Sequence, residues 1–331
     1  MIDGAVMVTG GAGYIGSHAV LALLDAGHRV VVVDNLVTGF AWAVDPRATL
    51  VEANVADARV RDIIRDHAVK AIVHFAGSVV VPESVANPLK YYRNNTAATE
   101  ALLESAVAEG VPHFIFSSTA ATYGTPAKVP VAEGDPTVPI NPYGMSKLMT
   151  EAMLKDVAAA HPMNFCALRY FNVAGADPAG RSGQSTIGAT HLIKIAVEAA
   201  TGKRTHVGIF GTDFDTPDGT GVRDYIHVSD LAAAHVAALD LLVAQPAESH
   251  ILNCGYGRGF SVNEVLDAVD RVTNMKIDRR MEGRRAGDPA ALVADNAAIL
   301  AALDWRPERD DLDTIVRDAL AWERVLAERG A

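Results

Sequence analysis

A tyrosine and a lysine stand four residues apart in the run Tyr143-Gly-Met-Ser-Lys147. The apolar pattern over 143–160 predicts a helix, and residues four apart lie on one face of a helix. A phenol with its usual pKa of about 10 is a poor base at neutral pH, but a neighbouring ammonium favours the phenolate and lowers that pKa. Tyr143 therefore suits removal of a proton from a hydroxyl group, although this spacing is also typical of an exposed helix face.

Hydroxyl side chains follow a strand-like run earlier in the chain. The apolar residues 113–116 predict a buried strand, and Ser117-Ser118-Thr119 come directly after them. A hydroxyl group just beyond a strand can pass on a proton that a base has taken. Thr119 is therefore the predicted proton shuttle, and it forms a predicted catalytic group with Tyr143 and Lys147.

Glycine residues at positions 10, 13 and 16 indicate a second kind of site. They lie inside a strand–turn–helix–strand pattern that extends from residue 5 to Asp34. Such glycines allow a pyrophosphate to approach the free N–H groups at a helix N-terminus. Asp34, at the end of the second strand, suits hydrogen bonds from a ribose diol and would repel a 2′-phosphate, which favours NAD over NADP.

The elements that must position these residues alternate along the first half of the chain. Further strands are predicted at 49–52, 71–75, 113–116 and 165–169, and helices at 59–66, 89–108 and 143–160. This alternation predicts an α/β fold with a Rossmann-type doubly wound parallel sheet.

The regular alternation of strands and helices is interrupted by a segment rich in Gly, Pro, Ser and Asp at 174–188. We therefore predict two domains, an NAD-binding Rossmann domain over 1–175 and a smaller C-terminal α/β lobe for substrate over 176–331. A short strand at 251–254 belongs to the lobe in this prediction. The strand-like run at 224–228 is the candidate to return to the first sheet, and we expect a second ligand in the cleft between the domains.

Composition argues against several classes of function. The chain has 331 residues and a formal net charge of −11, with Lys and Arg mixed among the acids, so we expect no nucleic-acid partner. No apolar run reaches membrane-spanning length and no signal peptide precedes the first strand, which predicts a cytoplasmic protein without a membrane partner. Cys166 and Cys254 are the only cysteines, and their apolar surroundings predict two buried thiols and no metal site.

Longer runs of residues carry a resemblance that extends over nearly the whole chain. Those that carry it best are V-T-G-G-A-G-Y-I-G-S-H (8–18), H-F-A-G (74–77), P-Y-G-M-S-K (142–147), L-R-Y-F-N-V-A-G-A (168–176), D-G-T-G-V-R-D-Y-I-H-V (218–228) and R-R-A-G-D (284–288). In these runs the chain resembles the extended short-chain dehydrogenase/reductase family, and within it the branch of nucleotide-sugar 4-epimerases.

The resemblance implies roles for individual positions. It implies that Tyr143 is the base, that Lys147 lowers its pKa, and that Thr119 is the shuttle. The expected cofactor-binding residues are Gly10, Gly13, Tyr14, Ile15, Gly16, Asp34, Asn35, Asn54, Val55, Phe75, Ala76, Asn94, Ser117, Tyr143, Lys147 and Tyr170. The expected substrate-binding residues are Thr119, Asn172, His191, Leu192, Phe210, Arg223, Arg285, Asp288 and Leu292.

The resemblance also implies a reaction. Its expected form is an NAD-dependent 4-epimerisation, in which UDP-glucose and UDP-galactose interconvert through a 4-keto intermediate that rotates in the site. The alternatives are UDP-N-acetylhexosamines or another nucleotide sugar as substrate, and a non-catalytic sensor of NAD(H). A 4,6-dehydratase is disfavoured, because the Ala-Ala-Thr run at 120–122 offers no carboxylate for the elimination. A homodimer built on helices 89–108 and 143–160 is expected from the same resemblance.

The chain departs from the family pattern at five positions that concern its ligands. Thr119 replaces the serine of many relatives but keeps the hydroxyl group, and Asn54 replaces an aspartate that usually meets the adenine. Val79 replaces a residue that is often polar or basic near the nicotinamide, and His191 replaces an asparagine. Leu292 is intermediate between bulky aromatics, which restrict the pocket to plain hexoses, and small residues, which admit N-acetyl sugars. The range of substrates is therefore left open.

Overall fold

A parallel sheet of seven strands forms the centre of the structure, a computed structural model that describes residues 2–285 and 288–329. From one edge to the other, the strands are β10 (His250–Cys254), β6 (Asn164–Tyr170), β5 (His113–Thr119), β4 (Val69–His74), β1 (Ala5–Thr9), β2 (Arg29–Asp34) and β3 (Thr49–Glu52). All neighbouring pairs in this sheet are parallel.

Helices cover both faces of this sheet. One face packs against α1 (Tyr14–Asp25), α8 (Val228–Ala244) and α10 (Ala297–Ala302). The other face packs against α2 (Val60–Asp66), α5 (Ala98–Ala108) and α6 (Pro142–Ala160). The predicted doubly wound α/β fold is therefore confirmed.

Strand β1 is apolar over residues 5–8, without alternation of apolar and polar residues, because both of its faces are buried. Side chains alternate between the two faces of a strand, and both faces of this sheet are covered by helices. Val6 and Val8 lie in the cluster on one face, whereas Ala5 and Met7 lie in the cluster on the other. A continuous apolar run is the consequence.

Two short helices and a π-helical segment precede α5. Helices α3 (Val81–Ala86) and α4 (Pro88–Tyr91) follow β4, and a π-helical segment at Tyr92–Ala97 joins α4 to α5. The helix predicted over 89–108 is thus present, but it contains a wider turn. Such π-bulges are frequent at functional sites, and Asn94 lies within this one.

The second half of the chain builds a smaller group of sheets and helices. Strands β7 (Asn172–Ala174), β9 (Val222–His227), β11 (Gly259–Ser261) and β13 (Ala291–Leu292) share one sheet, and β8 (Val207–Phe210) pairs with β12 (Arg279–Glu282). Helices α7 (Leu192–Ala200), α9 (Val262–Thr273) and α11 (Leu312–Glu328) pack on them.

The strand that returns to the large sheet is not the one predicted. The run at 224–228 was the expected candidate, but β9 pairs with β7, β11 and β13 instead. Strand β10 joins the large sheet instead, beside β6, and this differs from the predicted place of 251–254 in the lobe. An apolar run predicts a strand but does not identify its partner, and here Leu252 and Cys254 complete the core on one face. The division at residue 175 stays a prediction, and the chain beyond it supplies one strand of the large sheet.

The two cysteines are buried free thiols, as predicted. Within residues 2–285 and 288–329, no helix combines the length and apolar character needed to cross a membrane. The same residues contain no cluster of three or more His, Cys, Asp or Glu side chains suited to a metal ion.

Burial strongly lowers the pKa of three of the buried histidines. His18, His74 and His235 are 3 %, 1 % and 0 % exposed. Burial lowers the pKa of His18 to about 4, that of His74 to about 3 and that of His235 to about 4. All three side chains are therefore neutral in the folded protein at neutral pH.

These histidines should make the protein less stable in acid. Below the ordinary histidine pKa of 6.5, the unfolded chain binds protons that the folded chain excludes. The free energy of unfolding should therefore decrease as the pH is lowered. For His235 the loss approaches about 1.4 kcal/mol per pH unit and ends near pH 4, where the folded side chain also takes a proton. Urea unfolding between about pH 6.5 and pH 4 measures this dependence. The free energy of unfolding of His235→Leu should change less steeply with pH than that of the wild type, by that amount. Equal slopes in the variant and the wild type would contradict the prediction.

Candidate active site

Strand β5 and helix α6 bring two of the predicted catalytic residues into contact. The Asn141 side chain caps α6 by accepting a hydrogen bond from the N–H of Gly144 at 2.9 Å, and Pro142 takes the first helical position, where no N–H donor is needed. Tyr143 thereby enters the first turn of α6, where Thr119, the last residue of β5, is near enough to influence the pKa of its phenol. Both side chains are buried.

Lys147 follows one turn later and is held by β5. Its Nζ donates a hydrogen bond to the carbonyl of Ser117 at 2.8 Å and lies 4.8 Å from the centre of the Phe116 ring. Burial lowers the pKa of Lys147 to about 8, and the negative charge of Glu151 opposes this shift. Lys147 is therefore mostly a buried cation at neutral pH.

The chain alone does not lower the pKa of Tyr143, and the predicted lowering depends also on the positive nicotinamide of bound NAD⁺. Burial raises the pKa of Tyr143 above the ordinary value, and the nearby Thr119 hydroxyl opposes the shift only in part. The ammonium of Lys147 is directed to the Ser117 carbonyl, so the chain alone keeps Tyr143 as a neutral phenol. A further positive charge beside the ring would be needed to favour the phenolate.

The glycine-rich turn between β1 and α1 forms a cradle for an anion. Gly10 has a positive φ of 70°, and a Cβ added at Gly16 would lie only 2.2 Å from the carbonyl oxygen of Gly10. Gly13 caps α1 without a side-chain hydrogen bond, and the first turn of α1 contains no acidic residue. The N–H groups of this turn are therefore accessible to a pyrophosphate.

Asp34 lies beside this cradle at the end of β2. Its carboxylate accepts hydrogen bonds from the N–H of Ala12 at 3.0 Å and from the N–H of Leu36 at 2.8 Å. Each carboxylate oxygen has a further lone pair available for a ribose hydroxyl. The glycine turn and the carboxylate together fit a dinucleotide without a 2′-phosphate.

The other predicted cofactor residues mostly follow the carboxyl ends of neighbouring strands. Asn35 follows β2, Asn54 and Val55 follow β3, Phe75 and Ala76 follow β4, Ser117 and Tyr170 lie at the ends of β5 and β6, and Tyr14 and Ile15 begin α1. The hydroxyl groups of Ser117 and Tyr170 form a hydrogen bond. Asn94 comes from the π-helical segment and donates to the Ser78 hydroxyl at 3.1 Å. This common edge is where parallel α/β sheets bind ligands.

The predicted substrate residues surround two spaces on the smaller part of the protein. An open groove of about 510 Å³ is lined by Leu192, Phe210 and Arg285, and the guanidinium of Arg285 stacks 3.8 Å from the centre of the Phe210 ring. A cavity of about 20 Å³, roughly the size of one water molecule, lies next to Asn172, His191 and Leu192. Leu192 borders both spaces.

The charges of Arg285 and Asp288 both influence the pKa of Arg223. Burial lowers the pKa of Arg223, and the charge of Asp288 opposes that shift while the charge of Arg285 adds to it. Two cations near one carboxylate suit a diphosphate that carries more than one negative charge. The structure thus brings this predicted group together.

Leu292 connects the substrate side to the catalytic side. It pairs with Arg223 in the register of β13 and β9. It also packs in a small apolar cluster with Ala120, Tyr123 and Val131, and Ala120 directly follows Thr119. A change in the size of this side chain would therefore alter the space beside the predicted proton shuttle.

The residues that support this site through Glu151 are not among those predicted from the sequence. Ser118 and Arg169 on β5 and β6 both donate hydrogen bonds to Glu151 on α6. The four-residue spacing from Tyr143 to Lys147 to Glu151 was the available signal. It could not be interpreted without knowing which strands pack under α6.

Three comparisons with known proteins give consistent results. Residues 6–255 match the model of the NAD dependent epimerase/dehydratase family. The chain is 55 % identical to the UDP-glucose 4-epimerase of Azospirillum brasilense over 98 % of this chain and 93 % of that protein.

Solved structures agree with this match. A UDP-glucose 4-epimerase from Stenotrophomonas maltophila, crystallised with NAD and a formylated UDP-arabinopyranose, has a TM-score of 0.95 at 39 % identity over 99 % of this chain and 100 % of that chain. The UDP-Glc/GlcNAc 4-epimerase of Campylobacter jejuni has a TM-score of 0.85 at 46 % identity over 97 % of this chain and 99 % of that chain.

Proposed function

The chain belongs to the NAD dependent epimerase/dehydratase family, and we propose that it is an isomerase that interconverts UDP-glucose and UDP-galactose. The observation that carries this proposal is the 55 % identity to a UDP-glucose 4-epimerase over 98 % of the chain. The site supports it, because a base candidate, a hydroxyl group and a nucleotide cradle meet at one edge of the sheet.

NAD is the cofactor of this reaction. The glycine turn would hold its pyrophosphate, Asp34 would accept hydrogen bonds from a ribose diol, and Lys147 would lie near the nicotinamide end. When bound, NAD supplies an acceptor that takes a hydride from the sugar and gives it back. Tyr143 would then lie near a positive charge, which would favour its phenolate.

The side chains of the protein move the proton. Tyr143 takes the proton of the C4 hydroxyl, through Thr119, as that carbon becomes the ketone of the 4-keto intermediate. After the sugar rotates and the ketone is reduced on its other face, Tyr143 returns the proton to the new hydroxyl group. The chain therefore ends the cycle in the protonation state in which it began.

The smaller part of the protein holds the nucleotide while the sugar rotates. Arg223 and Arg285 would bind the diphosphate in the groove beside Phe210, since the guanidinium fork matches phosphate oxygens. A firm hold on the diphosphate together with a roomy sugar pocket is what this reaction requires.

The first test of this proposal uses purified protein and UDP-galactose without added NAD. Formation of UDP-glucose would support 4-epimerisation with a cofactor that stays bound during purification. No conversion, even after NAD is supplied, would contradict the proposal. A sensor of NAD(H) would then be the alternative, and it should release the dinucleotide readily.

The side chain at position 292 should determine which sugars are accepted. Leu292→Tyr should lower kcat/KM for UDP-N-acetylgalactosamine by about 10-fold or more relative to UDP-galactose, because a ring beside Ala120 fills the space for the N-acetyl group. Leu292→Ala should shift the ratio in the other direction. Parallel assays with both substrates measure these ratios, and equal ratios in all three proteins would contradict the prediction.

Activity on UDP-N-acetylhexosamines is the second candidate function. Leu292 is smaller than an aromatic side chain at this position, and the Campylobacter jejuni enzyme, 46 % identical, is described as acting on both Glc and GlcNAc forms. A homodimer and a cytoplasmic location are also part of the proposal. Exposed Leu89 and Met149 on α4 and α6 support the dimer, since they leave apolar surface on the helices predicted to form it.

A further inference from the structure

The carboxylate of Glu151 lies directly under the predicted catalytic residues. It is 1 % exposed, and it lies on the same face of α6 as Tyr143 and Lys147, because the three are spaced by four residues. It accepts a hydrogen bond from the Ser118 hydroxyl at 2.5 Å and two from the Arg169 fork at 2.9 and 2.6 Å. One carboxylate thus joins α6 to β5 and β6.

The residues that donate to Glu151 stand next to functional positions in both strands. Ser118 pairs with Arg169 in the register of β5 and β6, and Thr119 pairs with Tyr170 one residue later. The hydrogen bonds of Glu151 therefore fix the position of Thr119 relative to the first turn of α6. That relation sets how the Thr119 hydroxyl and the Tyr143 phenol, between which a proton would pass, lie relative to each other.

A further hydrogen bond of Arg169 connects Glu151 to the turn that follows Thr119. Arg169 also donates a hydrogen bond to the Tyr123 hydroxyl at 2.9 Å, and that hydroxyl donates to Asn253 at 2.7 Å. Tyr123 ends the 3₁₀ turn Ala120–Tyr123. The carboxylate–guanidinium pair therefore holds both sides of the predicted proton shuttle.

We propose that Glu151 is a positioning residue for proton transfer, which orients Thr119 towards Tyr143 and stabilises the buried ammonium of Lys147. This inference rests on the proposed function and adds a residue to it. Stability alone is a weak explanation for the arrangement, because a buried ion pair often contributes no more than well-packed apolar residues of the same volume.

The charges around Lys147 determine how the proposal can be tested through the pH dependence of the reaction. The titratable and charged groups near it are Tyr143 and Glu151 on α6, His74 on β4, and Arg169 and Tyr170 on β6. His74 is neutral, since burial lowers its pKa to about 3. Glu151 is therefore the anion that opposes the downward shift of the Lys147 pKa to about 8. Without that charge, Arg169 would be an uncompensated buried cation.

The test is the pH dependence of kcat for UDP-galactose in Glu151→Gln. This variant keeps the volume and one carbonyl oxygen for hydrogen bonding, but it removes the negative charge. We expect kcat to fall by about 10-fold, with a smaller change in KM, and the alkaline limb of the profile to move to lower pH by about one unit. A folded variant with the wild-type kcat and alkaline limb would overturn the proposal.

Two control variants separate positioning from stability. Glu323 is also 1 % exposed and pairs with Lys194 and Lys203, so Glu323→Gln should lower the melting temperature without moving the alkaline limb. Ser118→Ala removes the bond to β5 without changing charge, so it should lower kcat and leave the limb in place. If Glu323→Gln moved the limb as far as Glu151→Gln does, the proposal would be overturned.

If Glu151→Gln does not fold, a variant of Arg169 tests the same proposal. Arg169→Lys keeps both charges but loses the two-pronged contact, and we expect a lower kcat with the alkaline limb unchanged. A wild-type kcat in Arg169→Lys would overturn the proposal. Failure of the wild-type protein to convert UDP-galactose would instead overturn the proposed function, so the two failures are distinguishable.

Discussion

Tyr143→Phe should lower the rate of conversion of UDP-galactose by about 10²- to 10⁴-fold, the contribution of a positioned acid–base group. The variant loses only the phenolic oxygen, whose pKa the Thr119 hydroxyl influences. The first turn of α6 is capped by Asn141 and does not depend on that oxygen. We therefore expect the fold and the bound NAD to remain. The measurements are initial rates at saturating substrate and NAD content after denaturation.

A neighbouring tyrosine provides the matched control for Tyr143→Phe. Tyr91 is fully buried, its ring lies 6.4 Å from that of Tyr143, and its hydroxyl donates to Glu83 at 2.9 Å. Tyr91→Phe should cost about 1 kcal/mol of stability and change turnover by less than about 3-fold. If Tyr143→Phe kept a rate similar to that of Tyr91→Phe, Tyr143 would not be the base.

Gly16→Ala should weaken NAD binding by about 10- to 100-fold, so that the protein no longer purifies with a full complement of cofactor. The added Cβ would lie 2.2 Å from the carbonyl oxygen of Gly10. Either the glycine turn or the start of α1 must shift, and overpacking of this kind costs about 1–3 kcal/mol, which is about 10-fold in affinity for each 1.4 kcal/mol. Calorimetric titration of NAD into protein stripped of cofactor measures the loss.

A second glycine serves as the control for Gly16→Ala. A Cβ added at Gly134 would meet nothing within 4 Å, so Gly134→Ala should leave NAD affinity unchanged. Gly16→Ala with wild-type NAD affinity would mean that the turn between β1 and α1 does not bind the pyrophosphate. The nucleotide-binding role of Asp34 would then lose its main support as well.

Features that depend on residues close together in the chain could be predicted from the amino-acid sequence. The strand–turn–helix over 5–34, the position of Asp34 and the helical spacing of Tyr143 and Lys147 are all local patterns. Local backbone preferences and the two periodicities of strands and helices are sufficient to predict them. The predicted roles of these residues stay predictions, although the structure places them around one edge of the sheet.

The tertiary structure alone decided the features that depend on pairing between distant segments. It selected β10 rather than the run at 224–228 for the edge of the large sheet, because an apolar strand does not specify its neighbour. It also placed Ser118 and Arg169 against Glu151, which no spacing in the chain predicts. Finally, it raised the pKa of Tyr143 through burial, since the exclusion of water from a side chain depends on the whole fold and not on its neighbours in sequence.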